Sequence, residues 1–327
     1  MNVSIVVVCY NEEKNIARCL ESLLHQELKQ DKYEILVIDN NSSDRTRGII
    51  KEYENQGVRL EINPARGIAA SRKMGIEKAT YDFVAFTDAD CVVPENWLQI
   101  LISGYDRYGE IYKPLGAVGG ANLLPDDSKY FTGAVSIVLH SYWGSHGSTQ
   151  GMVFKKDTVV THIPCVNILY NKKAVLEAGN FDPSFDNICE DPELNYRLWK
   201  AGYRFVFLKD SFVWHKFAPN LWIWIKKVFT YGKGRVWIIK KHPSHLRIKF
   251  LIPPLFVLSQ LAVLLSFRYP LFLIFLLYYT VILLISIFEC LRKKRISLIP
   301  LVFLIYILTH FCYGFGEFYG VFKKRGI

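Results

Sequence analysis

The chain has 327 residues, 51% of them hydrophobic, and its 40 Lys and Arg exceed its 30 Asp and Glu to give a formal charge of +10. That length holds one large domain or two modest ones, and so apolar a composition excludes a disordered chain. The seven cysteines are scattered with no C-x-x-C spacing, which excludes a disulfide framework and a zinc site and fits a reducing compartment.

The N-terminus runs directly into Val3-Ser4-Ile5-Val6-Val7-Val8, without a basic leader or cleavage site, and reads as a first strand, not a signal peptide. Short β-branched runs predict further strands over residues 34–38, 58–62 and 83–87. Helical spacing predicts helices near 12–24, 44–53 and 69–79. Strand–helix alternation with continuous apolar strands implies a parallel sheet covered on both faces. Pro94, ahead of a helix over 95–102, and Pro192, after Asp191, occupy first-turn positions that open helices.

The fourth strand ends on Asp88-Ala89-Asp90. An open α/β sheet presents its ligand site outside the carboxyl ends of its strands. Two hard oxygen ligands there suit a divalent cation carrying a phosphate-bearing substrate. Asp pairs are also common in turns, so the motif needs companions. A short strand over 212–214 leads to His215.

After residue 217 the character changes. No acidic residue lies between Asp210 and Glu289, while Lys216, Lys226, Lys227, Lys233, Arg235, Lys240, Lys241, Arg247, Lys249 and Arg268 fall in that window. Residues 218–249, with Leu221-Trp222-Ile223-Trp224-Ile225-Lys226-Lys227 and Trp237, mix aromatics and cations as an interfacial segment does. Because this basic block runs into apolar sequence, anionic headgroups or a phosphorylated lipid are expected as partners rather than nucleic acid. Three apolar runs follow, 250–267, 269–288 and 298–313. The first two approach or exceed the length that crosses a bilayer, and the third is marginal. Together, residues 250–327 predict two or three membrane helices. Arg292-Lys293-Lys294-Arg295 is expected on the cytoplasmic side, with the N-terminal domain and its basic linker. A third full crossing would leave Lys323-Lys324-Arg325 outside. Either the tail departs from the charge tendency or 314–320 re-enters the membrane.

Five short blocks occur in order: Val8-Cys9-Tyr10-Asn11-Glu12-Glu13, Ile38-Asp39-Asn40-Asn41-Ser42-Ser43-Asp44, Arg66-Gly67-Ile68-Ala69-Ala70-Ser71-Arg72, Thr87-Asp88-Ala89-Asp90 and Cys189-Glu190-Asp191. In this order and spacing they resemble a family 2 inverting glycosyltransferase of the GT-A fold, over roughly residues 3–237. The resemblance implies an α/β, Rossmann-like, mixed and mainly parallel sheet with helices on both faces over residues 1–217, followed by an α-helical transmembrane region. It implies that Tyr10, Asn11, Glu12 and Asp39 hold the base and ribose of a nucleotide-sugar. Asn40 stands where many relatives have a second acidic residue. Asn11 and Asp44 also have the chemistry of helix caps. Arg66 and Arg72 can reach a diphosphate, since guanidinium pairs bidentately with phosphate; either can equally lie on a solvated helical face. Lys73 replaces the usual asparagine.

Asp88 and Asp90 are expected to hold Mn²⁺ or Mg²⁺, Asp90 as the direct ligand and Asp88 nearer the sugar, with His215 a further ligand. Asp191 is the expected base that takes the acceptor hydroxyl proton, with Glu190 in reserve. Asp191 before Pro192 also reads as a helix N-cap. Arg235, in Tyr231-Gly232-Lys233-Gly234-Arg235-Val236-Trp237, is expected over the donor, and the lack of a full Q-x-x-R-W argues against a processive synthase. The expected activity is sugar transfer from a UDP- or GDP-sugar to a lipid-linked (polyprenyl) glycan at the cytoplasmic face of the cell membrane, with inversion. The alternatives are a polyprenyl-phosphate sugar synthase, a nucleotidyltransferase of related fold and a non-catalytic membrane scaffold. Cys91-Val92-Val93-Pro94 departs from the Leu-Gln-His-Pro of polyprenyl-phosphate synthases. An oligomer is compatible with the sequence.

Overall fold

Strand β1 (Val3–Cys9) is buried along its whole length because its side chains alternate between two hydrophobic cores, Val3, Ile5, Val7 and Cys9 entering one and Val6 and Val8 the other. The same alternation recurs in β2 (Tyr33–Asp39), where Ile35 and Val37 oppose Leu36 and Ile38. This period-2 pattern with both faces apolar is what a sheet covered on both sides demands. The structure is a computed structural model and describes residues 1–125, 130–145, 148–215 and 220–323.

Further strands are β3 (Val58–Ile62), β4 (Phe83–Asp88), β5 (Cys91–Val92), β6 (Leu115–Leu123), β7 (Thr158–Val160), β8 (Ile168–Asn171) and β9 (Arg204–His215). Helices in chain order are α1 (Ile16–Leu24), α2 (Thr46–Lys51), α3 (Ile68–Lys78), α4 (Trp97–Ile111), α5 (Tyr130–Leu139) and α6 (Tyr142–Ser145). They continue with α7 (Lys172–Glu177), α8 (Glu190–Lys200), α9 (Leu221–Lys241), α10 (Ile252–Val263), α11 (Leu277–Arg292) and α12 (Ile299–Phe322).

The sheet order is β3-β2-β1-β4-β8-β6-β9-β5, with β7 pairing on β9. β3, β2, β1 and β4 are parallel, β6 is parallel to β9, and β8, β5 and β7 enter antiparallel. Helices α1 and α4 cover one face with Leu20, Leu23, Trp97 and Leu101, and α3, α7 and α8 cover the other with Ile76, Val175 and Leu194. Each such side chain, fully buried, contributes about 1.5–3 kcal/mol. The fold is the expected mixed α/β sheet with helices on both faces.

Several boundaries differ from expectation. α1 begins at Ile16, not near residue 12, because residues 10–15 form a loop in which Asn11 has φ 55°. Strands β5 to β8 were not foreseen. β6 carries Gly119-Gly120, poor strand formers by propensity. They are required by contact: a Cβ on Gly119 would lie 2.2 Å from the Asn167 carbonyl oxygen, and one on Gly120 would lie 1.9 Å from that of Ser211.

The chain divides into two units, and the division is not at one point in the sequence. α5 and α6, expected within the first domain, group with α9 to α12. The expected boundary at residue 217 and Lys216, Lys324 and Arg325 lie outside the described residues.

In the second unit, α9 packs on α12 through glycines. A Cβ on Gly232 would lie 2.1 Å from the Tyr313 carbonyl oxygen, and one on Gly316 would lie 2.1 Å from that of Phe229. Gly316 and Gly320 are four residues apart, the small-residue spacing that lets helix backbones approach. Trp224, Val228, Trp237 and Ile238 are buried, and the Trp224 indole N–H donates to Thr309 Oγ1 at 3.0 Å. The opposite face keeps Trp222 exposed under the Lys226 ammonium, 5.0 Å from the ring centroid. The aromatic–cationic segment is thus an amphipathic helix with one face committed to α12.

Segments Pro270–Arg292 and Ile296–Phe322 are long and apolar enough to cross a membrane. The run at 250–267, expected to cross, instead holds α10. Its 12 residues rise only about 18 Å, against a hydrocarbon core of about 30 Å. The run that looked marginal contains the longest helix. α12 also continues unbroken through Gly314, Gly316 and Gly320.

Two helical glycines test the packing of the first unit. A Cβ on Gly75 would lie 2.5 Å from Val6 Cγ1, whereas one on Gly48 meets nothing within 4 Å. Gly48→Ala is expected to stabilise by up to about 1 kcal/mol through helix propensity. Gly75→Ala is expected to destabilise by about 1–3 kcal/mol through overpacking. Denaturant unfolding of the detergent-solubilised protein checks both.

Candidate active site

The expected residues of the first unit gather at the carboxyl ends of β1, β2 and β4 and at the start of α8. Asn11 N donates to Ser42 Oγ at 2.9 Å, and Asn11 Oδ1 accepts from Ser43 N at 2.8 Å. Glu12 N donates to Thr46 Oγ1 at 2.8 Å, and Glu13 N donates to Asp44 Oδ2 at 3.2 Å. These bonds stitch the loop after β1 to the loop after β2 and leave the Tyr10 ring exposed. Asn11 is therefore a tie between loops, not a helix cap. Asp44 receives Thr46 N at 3.0 Å and so caps the turn into α2.

Asp39 is fully buried. Its Oδ2 accepts from Ser42 N at 3.0 Å and pairs with Arg47 Nε at 3.1 Å. Arg47 was not singled out by sequence, since an arginine one turn into a helix looks like solvated surface. It neutralises the carboxylate that shapes the loop.

Arg72 occupies the centre. Its side chain is 7% exposed, and its guanidinium donates to Asp88 Oδ1 at 3.1 Å through Nη2 and to Glu190 Oε1 through Nη1. One buried cation thus joins α3, the end of β4 and the first turn of α8. Burial pushes the Glu190 carboxyl up, Arg72 pulls it back, and Asp191 raises it further. Arg66 stands apart from that pair, exposed, at φ 54° in the turn before Gly67. That turn is anchored to the loop before α8, because Ile68 N donates to Asn187 Oδ1 at 2.8 Å and Ala69 N to the Asp186 carbonyl at 2.9 Å.

Asp191 is not the N-cap of α8. Cys189, at φ 56°, takes that position without a side-chain bond, so Glu190 and Asp191 are the first two helical residues. Asp191 Oδ2 instead accepts from Cys165 N at 3.2 Å. The loop that supplies this N–H was passed over in the sequence. It is held by Asn167, whose Oδ1 receives Trp97 Nε1 at 2.8 Å and whose Nδ2 donates to the Ala121 carbonyl at 3.1 Å. Helix N-termini favour negative charge, and the first turn of this one carries three carboxylates, Glu190, Asp191 and Glu193, the last paired with Arg197 at 2.7 Å.

Asp90 and His215 meet because β5 pairs antiparallel with β9 in a register that sets Cys91 opposite His215. His215 Nε2 lies 3.2 Å from Asp90 Oδ2, and ligand atoms of Asp90, Cys91 and His215 lie within 4.8 Å of one another. The Asp90 carboxylate oxygen suits Mn²⁺ or Mg²⁺, while the His215 imidazole nitrogen is a ligand for a transition metal rather than for Mg²⁺. Cys91 suits neither ion, since burial, reinforced by Asp90 and Asp88, pushes its thiol well above the usual range. Burial also raises the Glu12 carboxyl; the Asn15 hydrogen bond opposes this, and the Asp90 and Asp88 charges add to it.

Several buried polar atoms without hydrogen-bond partners among the described residues lie at the same edge, whereas Arg59 Nε and Glu317 Oε2 lie elsewhere. The former include Asn40 Oδ1 after β2, Thr87 Oγ1 in β4, both amide atoms of Asn122 near the end of β6, and Arg72 Nε. Leaving such a group unmet costs about 1–3 kcal/mol. Their grouping at strand ends fits a polar ligand.

Residues 4–179 match the model of glycosyl transferase family 2. The chain belongs to this family. It is 29% identical over 244 residues to the glycosyltransferase AglE of Haloferax volcanii, covering 73% of this chain and 75% of that one. It is 26% identical over 329 residues, 98% of this chain and 97% of the relative, to a Methanococcus voltae enzyme. That enzyme is named dolichyl N-acetyl-alpha-D-glucosaminyl phosphate 3-beta-D-2,3-diacetamido-2,3-dideoxy-beta-D-glucuronosyltransferase. Among solved structures, the mannosyltransferase PcManGT of Pyrobaculum calidifontis, in complex with GDP-Man and Mn²⁺, aligns with TM-score 0.59 at 16% identity over 94% of this chain and 85% of its own. Staphylococcus aureus TarS 1-349 with UDP-GlcNAc aligns at 0.56 and 15% over 97% and 90%. The GT-A fold and glycosyltransferase membership follow.

Arg235 of this transferase lies in the second unit. Its Nη1 donates to His245 Nε2 at 2.9 Å, and its guanidinium sits 4.4 Å from the Phe250 ring centroid.

Two measurements check the site. Arg72→Met leaves Glu190 buried without its partner and is expected to destabilise by about 3–5 kcal/mol. A carboxyl raised in the folded state binds more protons there than when unfolded, so stability falls as pH rises through its folded value. The loss in Arg72→Met is therefore expected to be smaller at pH 5 than at pH 8, and smaller in Arg72→Met/Glu190→Gln, by denaturant unfolding. Asp90→Asn and His215→Ala are each expected to weaken Mn²⁺ binding by at least about tenfold, read by electron paramagnetic resonance of free Mn²⁺.

Proposed function

We propose that the protein transfers a sugar, with inversion, from a UDP- or GDP-sugar to a lipid-linked polyprenyl glycan at the cytoplasmic face of the cell membrane. The observation that carries this reading is Asp191, set at the start of α8 beside the Arg72-bridged Glu190 and tied to Cys165 N. An inverting displacement needs one carboxylate opposite the leaving group. In this reading Asp191 takes the acceptor hydroxyl proton as that oxygen attacks the anomeric carbon. Glu190 holds Arg72, and Arg72 in turn positions Asp88 toward the sugar and ribose.

Asp90 would hold Mn²⁺ or Mg²⁺, with His215 a further ligand for Mn²⁺; the ion when bound neutralises charge on the departing diphosphate. Tyr10, Asn11, Glu12 and Asp39 frame the nucleoside side of the site, the exposed Tyr10 ring offering a surface for the base. Arg66, at the rim, is assigned to the diphosphate. The Methanococcus voltae relative's name, which specifies a dolichyl phosphate sugar as acceptor, supports extension of a lipid-linked glycan over synthesis of a polyprenyl-phosphate sugar. Two helices of sufficient length and the basic residues of α9 support a multi-pass membrane protein with its catalytic unit cytoplasmic.

Membranes containing the protein, given Mn²⁺ and labelled UDP- or GDP-sugars, are expected to yield lipid-extractable label. Asp191→Asn is expected to lower kcat by about 10²–10⁴-fold while nucleotide binding persists. Equal nucleotide diphosphate release by wild type and variant with every donor would remove Asp191 as the base.

A further inference from the structure

Helix α8 carries a second polar residue on the side that presents Asp191. Asn195 lies four positions after Asp191, one turn along the same side of the helix. It is fully buried, and its helix neighbours Leu194 and Leu198 enter the apolar core on that face of the sheet. Its amide is committed at both atoms. Nδ2 donates to the Ile163 carbonyl at 2.7 Å and to His162 Nδ1 at 2.8 Å, while Oδ1 accepts from Tyr170 Oη at 2.6 Å. A carbonyl can only accept, so the atom facing Ile163 is the nitrogen and the orientation of the amide is settled. Tyr170, on β8, is equally buried. With its proton given to Asn195, its oxygen accepts from the Cys165 thiol at 3.7 Å.

These bonds converge on the loop that serves Asp191. Asp191 Oδ2 accepts from Cys165 N at 3.2 Å, and Asn195 Nδ2 donates to the carbonyl two residues earlier. Helix α8 thus grips the loop at two points, accepting at one and donating at the other, while Tyr170 holds the Cys165 thiol from the sheet. A shift that carried Cys165 N off Asp191 would also stretch the Asn195 bond. Stability alone does not call for this network. Ile163, Ile168, Leu194, Leu198 and Phe205 share its core, and replacing hydrogen-bonded partners there by apolar groups of similar shape can be nearly neutral. Apolar contact has no direction, however, and cannot fix a backbone N–H against a helix. A base needs that precision, since a misplacement of about 1 Å can cost on the order of a hundredfold in rate.

We propose that Asn195 is a positioning residue for Asp191. By clamping the Ile163 carbonyl, with Tyr170 fixing its amide, it holds the Cys165 N–H on Asp191 Oδ2 and leaves Oδ1 for the acceptor hydroxyl. This inference rests on the reading of Asp191 as the base.

The test pairs hydrogen exchange of the full chain in detergent with turnover in membranes. The variants are Asn195→Leu and Asn195→Leu/Tyr170→Phe, the second leaving no tyrosine hydroxyl unmet and so protecting the fold. Both are expected to speed exchange of the Cys165 amide at least about tenfold, read by mass spectrometry on overlapping peptides across residues 160–170. Nucleotide diphosphate release from labelled UDP- or GDP-sugars is expected to fall about tenfold to a hundredfold in kcat, with the donor KM within about twofold of wild type. Asn195→Gln, which keeps donor and acceptor, is expected to recover part of kcat. In an Asp191→Asn background the double substitution is expected to lower kcat no further, because the group it positions is already gone. Unchanged exchange at Cys165 overturns the proposal. So does an unchanged kcat in both variants while Asp191→Asn is slow, and the base assignment then stands. Equal losses with and without Asp191 also overturn it, since a residue that only supports the fold acts additively. If Asp191→Asn itself turns over as fast as wild type, the base assignment falls and the proposal falls with it.

Discussion

A single buried guanidinium holds the candidate active site together. Arg72, on the second turn of α3, reaches the side chain at the end of β4 and the first residue of α8. Removing one cation and two carboxylates from water is expensive, and only close pairing with hydrogen bonds offsets the cost. The arrangement therefore tolerates little change in the relative placement of α3, β4 and α8. Asp191 is fixed because Glu190 beside it is fixed. Asp88 is turned toward Arg72, while Asp90, two residues on, faces His215 across the β5–β9 pairing.

Around that centre the backbone is held in conformations that ordinary residues avoid. Asn11, Asn41, Arg66, Asp186 and Cys189 all have φ between 50° and 61°, and all lie in the loops that carry or support candidate site residues. Each such residue costs on the order of 1 kcal/mol or more and persists only where its surroundings over-determine it. The supports are visible: Ser42 and Ser43 hold Asn11, and Asn187 and Asp186 hold the turn before α3. Strained loops, several unmet buried polar atoms and the helix N-terminus that bears Glu190 and Asp191 converge on one edge of the sheet. That convergence is the physical signature of a site organised before its ligand arrives.

The second unit follows a different rule. Its helices approach through glycine rather than interdigitating large side chains. Gly232 on α9 and Gly316 on α12 each meet the other helix's backbone carbonyl, and Gly314 meets the Pro253 carbonyl of α10, where a Cβ would stand only 2.6 Å away. In the sequence, residues 231–237 lie in a basic, aromatic stretch, and Arg235 was expected over the donor. The structure makes that stretch a helix whose glycines serve packing and whose arginine stands against the Phe250 ring.

Much of this protein was legible in the order of its residues. Continuous apolar runs identified β1 to β4, and short polar blocks after them identified where a ligand site would form, because strand alternation and loop chemistry are local properties. The acidic pair at 88 and 90, the carboxylates at 190 and 191 and His215 could be chosen by type and order. Which of them touch was not legible. That Arg72 bridges two carboxylates, that Asp191 takes an amide from Cys165, and that β5 folds back to set Asp90 on His215 all depend on partners 16 to 125 positions away. The same holds for the glycines of α9 and α12, whose purpose is a neighbour's backbone. Local pattern follows from each residue's own preferences, whereas these contacts exist only once burial has brought distant segments together, so they could be decided by the tertiary structure alone.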